Sequence, residues 1–193
     1  MGNIILVRHG ETKEGKAGII LGHLGGNLTQ DGKDSAKKIA KIISKLDLRF
    51  QKIVTSDLKR AFNTARIIST ELNNLPIEKD QTVRERSAGI AEGKKDSEIN
   101  WNDYEKSPWV DRKHRDGESF GDVYQRAQNF LDKHRDQDDI ILVSHTVFIL
   151  MLIAAALKIS PEKIVTEEKY DLSCYIVSLD LENKKVVPIR IPL

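Results

Sequence analysis

The chain has 193 residues, 39% of them hydrophobic and 31% charged, which excludes a disordered chain and describes one domain long enough to bury its own core. A formal net charge of +2 gives no reason to expect nucleic acid or an acidic membrane surface as partner. The one cysteine, Cys174, excludes an internal disulfide, reads as a small buried residue of a strand, and fits a reducing, cytoplasmic setting.

Residues 4–7 form a short aliphatic run without alternation, the pattern of a fully buried strand, and it stops at Arg8, His9 and Gly10. No leader is expected ahead of it. The glycine-rich stretch 15–27 reads as a loop. Over residues 29–47, Ala36, Ile39, Ala40, Ile43 and Leu46 fall on one helical face with lysines opposite. Residues 51–56 predict a second strand. Residues 57–74 predict a helix with Leu58, Ala61, Phe62, Ala65, Ile68 and Leu72 on one side and Ser56 or Asp57 as its cap. The pattern weakens from 76 to 117, which reads as an elaborated connection with at most short helices.

A helix is predicted over 119–135, a strand over 138–145 and a mostly buried helix over 146–160. The apolar run 147–157 is far short of the ~20 residues a bilayer requires. Residues 173–181 and 185–191 read as two late strands joined by a turn, with Pro188 marking the last as an edge. Strands alternating with helices give an α/β fold: a mainly parallel sheet in an α/β/α sandwich, one domain over 1–193.

In such sheets the ligand site lies beyond the carboxyl ends of the strands. Three strands end in polar clusters there: Arg8-His9-Gly10; Ser56, with Arg60 one helical turn later; and Ser144-His145. Two arginine forks that converge suit a tetrahedral dianion. A helix beginning after His145 would add backbone N–H groups. Neutral imidazole, with a reference pKa near ~6.5, can attack phosphorus if its other nitrogen donates to a fixed acceptor, and His9 sits at the end of a central strand. A proton donor for a leaving alcohol is available in Glu85 or Glu92, between which spacing alone does not choose.

Several blocks in order resemble the histidine phosphatase superfamily, the phosphoglycerate mutase-like proteins: "LVRHGET", "LGHLGGNLTQDG", "TSDLKRAFNTA", "RERSAGIAEG", "DGESFGDVYQR" and "VSHTVFI". The resemblance implies phosphomonoester hydrolysis through a phosphohistidine on His9. Arg8, Arg60 and His145 would hold the phosphoryl group, Glu85 would be the general acid, and Glu92 would be structural. Thr12, Thr146 and His23, in or beside these blocks, are further candidate substrate contacts.

It implies a small phosphate ester as partner and no cofactor; two arginines beside the histidines would also repel a metal cation. Gly15 departs from an asparagine common in the family, Gly25 and Asn27 from an aspartate and a proline, and Thr146 from a glycine. These departures leave the substrate open. The alternatives are a phosphoglycerate mutase, disfavoured by the short connection 89–117, and a silent module that binds phosphorylated ligands. His114 and His134 read as packed residues, the run Arg112 to Arg115 as solvated surface, and Trp101, Tyr104 and Trp109 as packing within a cap.

Overall fold

Strand β1 (Asn3–Arg8) is buried from residue 4 to residue 7 and lies at the centre of a six-stranded sheet. The computed structural model describes residues 2–101, 104, 106–134, 139–166, 172 and 175–190; the strand role read for Cys174 lies outside them. The other strands are β2 (Lys52–Thr55), β3 (Ile77–Lys79), β4 (Ile140–Ser144), β5 (Tyr175–Asp180) and β6 (Lys185–Arg190), in the order β3-β2-β4-β1-β5-β6. β1, β2, β3 and β4 are parallel to one another, whereas β5 and β6 pair antiparallel. Pro188 falls on β6, which pairs only with β5, so its missing N–H costs the ladder little.

The aliphatic runs lack polar alternation because both faces of the sheet are covered. Ile5, Val7, Ile53, Ile141 and Val143 meet Ala36, Ile39, Ala40 and Ile43 of α2 (Gln30–Ile43) and Ala61, Ala65 and Ile68 of α3 (Lys59–Glu71). Ile4, Leu6, Val54, Ile140 and Leu142 face the other way. They meet Val123, Ala127 and Phe130 of α4 (Phe120–His134) and Phe148, Ile149 and Leu152 of α5 (Thr146–Leu157). Each valine, leucine, isoleucine or phenylalanine side chain so removed from water contributes about 1.5–3 kcal/mol before entropy is counted. A short helix α1 (Lys13–Lys16) interrupts the glycine-rich loop, and α6 (Pro161–Thr166) follows α5. Among the described residues no helix is long and apolar enough to cross a membrane.

Two expectations need correction. The connection 76–117 contains a strand, β3, as well as single 3-10 turns; three half-exposed residues are too few to show a period. Neither Ser56 nor Asp57 caps α3 as expected: Leu58 holds the cap position without a side-chain bond. Ser56 Oγ accepts from the Leu58 N–H at 3.2 Å, before the helix starts, and Asp57 is drawn away into a bidentate pair with Arg84.

The strand-end loop after His9 is pressed against the first turn of α2. A Cβ on Gly10 would lie 2.4 Å from the Gly32 carbonyl oxygen, and one on Gly32 would lie 2.3 Å from the Glu11 carbonyl oxygen. Gly10 therefore serves close backbone packing, and its φ is not positive. Helix propensity alone favours alanine over glycine by about 1 kcal/mol at a helical position. The contact reverses that sign: Gly32→Ala is expected to lose about 2 kcal/mol and about 4–8 °C of melting temperature, read by urea and thermal denaturation.

Candidate active site

The β1–β4 ladder ends with Arg8 opposite Ser144, and the next backbone bond runs from the His9 N–H to the Ser144 carbonyl at 3.0 Å. That register sets His9 and His145 side by side, with ring centroids 5.1 Å apart and planes at 58°. Arg60 reaches them from the first turn of α3. Its Nε–H donates to His9 Nε2 at 3.1 Å. Its terminal nitrogens donate to the carbonyls of Gly22 (2.8 Å), Leu24 and Gly25 (3.2 Å). The guanidinium, 2% exposed, thus ties the loop after the nucleophile candidate to α3 and turns only its Nε edge toward His9.

Two contacts fix the tautomer of His9. Nδ1 lies 2.9 Å from the Gly10 carbonyl, which can only accept, so Nδ1 carries the proton. Nε2 accepts from Arg60 and so presents a lone pair. Burial foremost, then the Arg60 and Arg8 charges, hold the His9 pKa down to about 3 against the upward pull of the Gly10 bond. His145 is fully buried and lowered well below its usual value, by burial first and then by His9 and Arg60. Burial likewise lowers Arg60. Among the described residues neither ring nitrogen of His145, nor Arg8 Nε, has a hydrogen-bond partner. These are buried polar atoms, and a tetrahedral oxyanion in the cavity that Arg8 lines is an acceptor suited to the Arg8 Nε–H.

Glu85 enters from the segment after β3. Its Oε1 accepts the Arg86 N–H at 2.8 Å and the Val147 N–H at 3.2 Å. The amide expected to serve an anion at the start of α5 therefore holds this carboxylate, leaving Oε2 as the oxygen free to carry a proton. Glu92 does something else: its Oε1 accepts from the His23 N–H (2.9 Å), the Ala88 N–H (3.0 Å) and the Ser87 hydroxyl (3.1 Å), binding two loops together.

Arg8, His9, Thr12, Arg60 and Glu85 line one cavity of about 830 Å³, whose outer wall includes Ile19, Ile20, Leu21 and Arg86. Thr12 caps α1 by accepting the Gly15 N–H at 3.1 Å. His145 lies behind this surface, and Thr146, the first residue of α5, is not part of the lining, whereas the next residue, Val147, is. His23 is also off the lining; its Nε2 sits 2.7 Å from the Glu85 carbonyl oxygen, so it touches the acid's backbone. A more open groove of about 590 Å³ between α2 and α3 contains none of the candidate residues.

Sequence reasoning missed Thr64, whose hydroxyl accepts the Gly10 N–H (3.0 Å) and donates to the Arg60 carbonyl (2.8 Å), joining the two arms of the site. A threonine one helical turn after Arg60 was the signal available. His134 packs on Phe130 with ring centroids 4.2 Å apart. His114 is buried within the presumed surface run and stacks on Tyr104 at 4.8 Å, beside Trp101. Trp109 stacks on Phe120 at 4.1 Å.

A neutral imidazole whose Nε2 lone pair is held by one hydrogen bond from Arg60, flanked by guanidinium groups and a carboxyl group, is equipped for phosphoryl transfer once that bond is released. The comparisons with known proteins agree. The chain belongs to the histidine phosphatase superfamily (branch 1), whose family model matches residues 4–191. Phosphoserine phosphatase 1 of Hydrogenobacter thermophilus is 33% identical over 175 residues, covering 84% of this chain and 80% of that protein. Phosphoglycerate mutase-like protein 4 of Arabidopsis thaliana is 35% identical over 153 residues, 74% of this chain but 65% of its own length. The alpha-ribazole phosphatase from Shigella flexneri shares the fold, with a TM-score of 0.82 and 24% identity over 98% of this chain and 95% of that one.

The lowered His9 pKa has a consequence for stability. Unfolded histidine titrates near ~6.5, and in the folded protein His9 does so only at about 3. Between those values the unfolded state binds the extra proton. The contribution is complete above about pH 6.5 and is lost as pH falls toward 3, by about 2 kcal/mol at about pH 5. His145 acts in the same direction. Urea unfolding at about pH 7.5 and about pH 5 is expected to show this loss, and His9→Gln is expected to make the difference smaller.

Proposed function

We propose that this chain is a metal-independent phosphatase: one histidine phosphatase domain that hydrolyses small phosphate monoesters through a phosphohistidine on His9. The observation that carries the reading is the doubly fixed tautomer of His9, neutral at physiological pH with its Nε2 lone pair beside Arg60. In the first half-reaction Nε2 attacks phosphorus in line with the ester oxygen. The N–P bond forms, the P–O bond breaks, and the Glu85 carboxyl proton goes to the departing alkoxide. For this attack the Arg60 Nε–H first turns from the imidazole to a phosphoryl oxygen of the bound ester, which frees the Nε2 lone pair. Arg8 and His145 share the charge on the other equatorial oxygens. In the second half-reaction Glu85, now a carboxylate, takes a proton from the water that attacks the phosphohistidine.

Hydrolysis is favoured over mutase chemistry by identity: the phosphoserine phosphatase is 33% identical across 84% of this chain, against 28% for a phosphoglycerate mutase that matches 86% of it. It is also favoured by the brevity of the connection, whose described residues include one short strand and single 3-10 turns, rather than a long insertion closing over the substrate. Of the sequence departures, Gly15 lines the cavity, whereas Gly25, Asn27 and Thr146 lie outside its lining, so the alcohol half of the substrate is assigned by experiment. The lone cysteine fits a cytoplasmic setting.

Hydrolysis of p-nitrophenyl phosphate and of a panel of phosphorylated metabolites is expected in the presence of EDTA, with acid-labile phosphate trapped on the protein by rapid quench. His9→Ala is expected to remove both signals; a variant that keeps about a tenth of the activity would refute the nucleophile. Net exchange between 2- and 3-phosphoglycerate outpacing phosphate release would favour the mutase. Glu85→Gln is expected to slow alkyl esters by about 100-fold or more while costing p-nitrophenyl phosphate far less, since that leaving group needs little protonation.

A further inference from the structure

The peptide group joining Glu85 to Arg86 is gripped on both sides. Its N–H bonds the Glu85 carboxylate at 2.8 Å, so the tilt of this peptide plane sets where the carboxylate points. Its C=O accepts from Arg126 Nη2 at 3.4 Å and from His23 Nε2 at 2.7 Å. Arg126 belongs to α4, on the face of the sheet opposite α3, and it spends all its N–H groups in this one place. Nη1 donates to the carbonyls of Thr82 and Arg84 (3.2 Å), and Nε and Nη2 donate to the two carboxylate oxygens of Glu118, both at 2.9 Å. Glu118 Oε2 also accepts the Ser87 N–H at 2.9 Å. The pair therefore holds the backbone of 82–87 at four points, carbonyls 82, 84 and 85 and the amide of 87, without lining the cavity itself. Both side chains are mostly buried, at 21% and 24% exposure, where a bidentate guanidinium–carboxylate pair is geometrically stiff.

We propose that Arg126 and Glu118 are positioning residues that aim the Glu85 carboxyl at the leaving oxygen. The proposal rests on the acid role given to Glu85 above. Lysine cannot replace Arg126, because one ammonium with three donors cannot span three carbonyls and a carboxylate. Loosening the clamp moves the acid without moving His9, Arg8 or Arg60, which are held by other strands and by α3. The loss should thus fall on proton transfer to the leaving group and spare attack on phosphorus.

The test compares kcat/KM, which covers phosphoryl transfer to His9, for an alkyl phosphate and for p-nitrophenyl phosphate in Arg126→Gln, Arg126→Lys and Glu118→Gln. Each ratio is taken on one sample, so the folded fraction cancels and a purely structural role leaves the ratio unchanged. The expected result is a loss of about tenfold or more on the alkyl ester against about threefold or less on the aryl ester. Arg126→Lys should recover only part of it. In the Glu85→Gln background Arg126→Gln should add no further discrimination, because the group it aims is gone. Equal losses on both esters, or full additivity in the double variant, would overturn the proposal while leaving Glu85 in place. If Glu85→Gln itself fails to discriminate between the esters, the acid assignment falls, and this proposal with it.

Discussion

The site depends on the pairing that closes the β1–β4 ladder. Arg8 opposite Ser144, followed by the His9 N–H on the Ser144 carbonyl, is an ordinary parallel contact, yet it sets two imidazoles 5.1 Å apart from positions far apart in the chain. A slip of one residue would turn His9 to the other face of the sheet, because strand side chains alternate. The slip is resisted by the core: the same register places Ile5 and Val7 toward α2 and α3 and Ile4 and Leu6 toward α4 and α5. The geometry of the chemistry is thus specified by aliphatic packing several residues away.

That geometry puts a cation in the interior. Arg60 is almost wholly buried, and burying an unpaired charge is costly. The protein offsets the cost with three backbone carbonyls, of Gly22, Leu24 and Gly25; among the described residues no carboxylate pairs with it directly, although the Glu85 charge acts on it from further away. A carboxylate would neutralise the charge; carbonyl dipoles satisfy the N–H groups and leave the positive charge in place. The remaining Nε–H faces His9 Nε2, and the charge helps keep that ring neutral. One residue therefore orders a loop, sets a tautomer and retains a field suited to an anion.

Strand ends and helical faces were legible because they are written in periodicity. Residues 4–7, 51–56 and 138–145 announced strands by aliphatic content, and the three polar clusters at their ends announced where they meet. The candidates His9, Arg60 and His145 do lie together. β3 was not legible, since Ile77, Glu78 and Lys79 are too few to carry a pattern. The cap of α3 was misread because Asp57, an excellent capping residue in isolation, finds a stronger partner in Arg84, from a segment 27 positions away. Thr146 and His23 were grouped with the substrate contacts by their nearness to motifs. Nearness in sequence does not say that Thr146 turns into a helix or that His23 bonds the Glu85 backbone.

The start of α5 shows why such residues defeat local reading. A helix N-terminus beside a predicted anion site invites the inference that its amides bind the anion. Here the Val147 amide is committed to Glu85 Oε1. The helix that follows His145 thus ties the candidate acid to the strand that carries a candidate phosphate ligand. One hydrogen bond, from the second residue of α5 to the Glu85 carboxylate, links that carboxylate to the element that begins at His145. On the other side Arg60 couples the loop after His9 to α3. The cavity is therefore flanked by two pairs, His9 with Arg60 and His145 with Glu85, which meet at the β1–β4 ladder and again where His23, in the loop that Arg60 holds, bonds the Glu85 carbonyl.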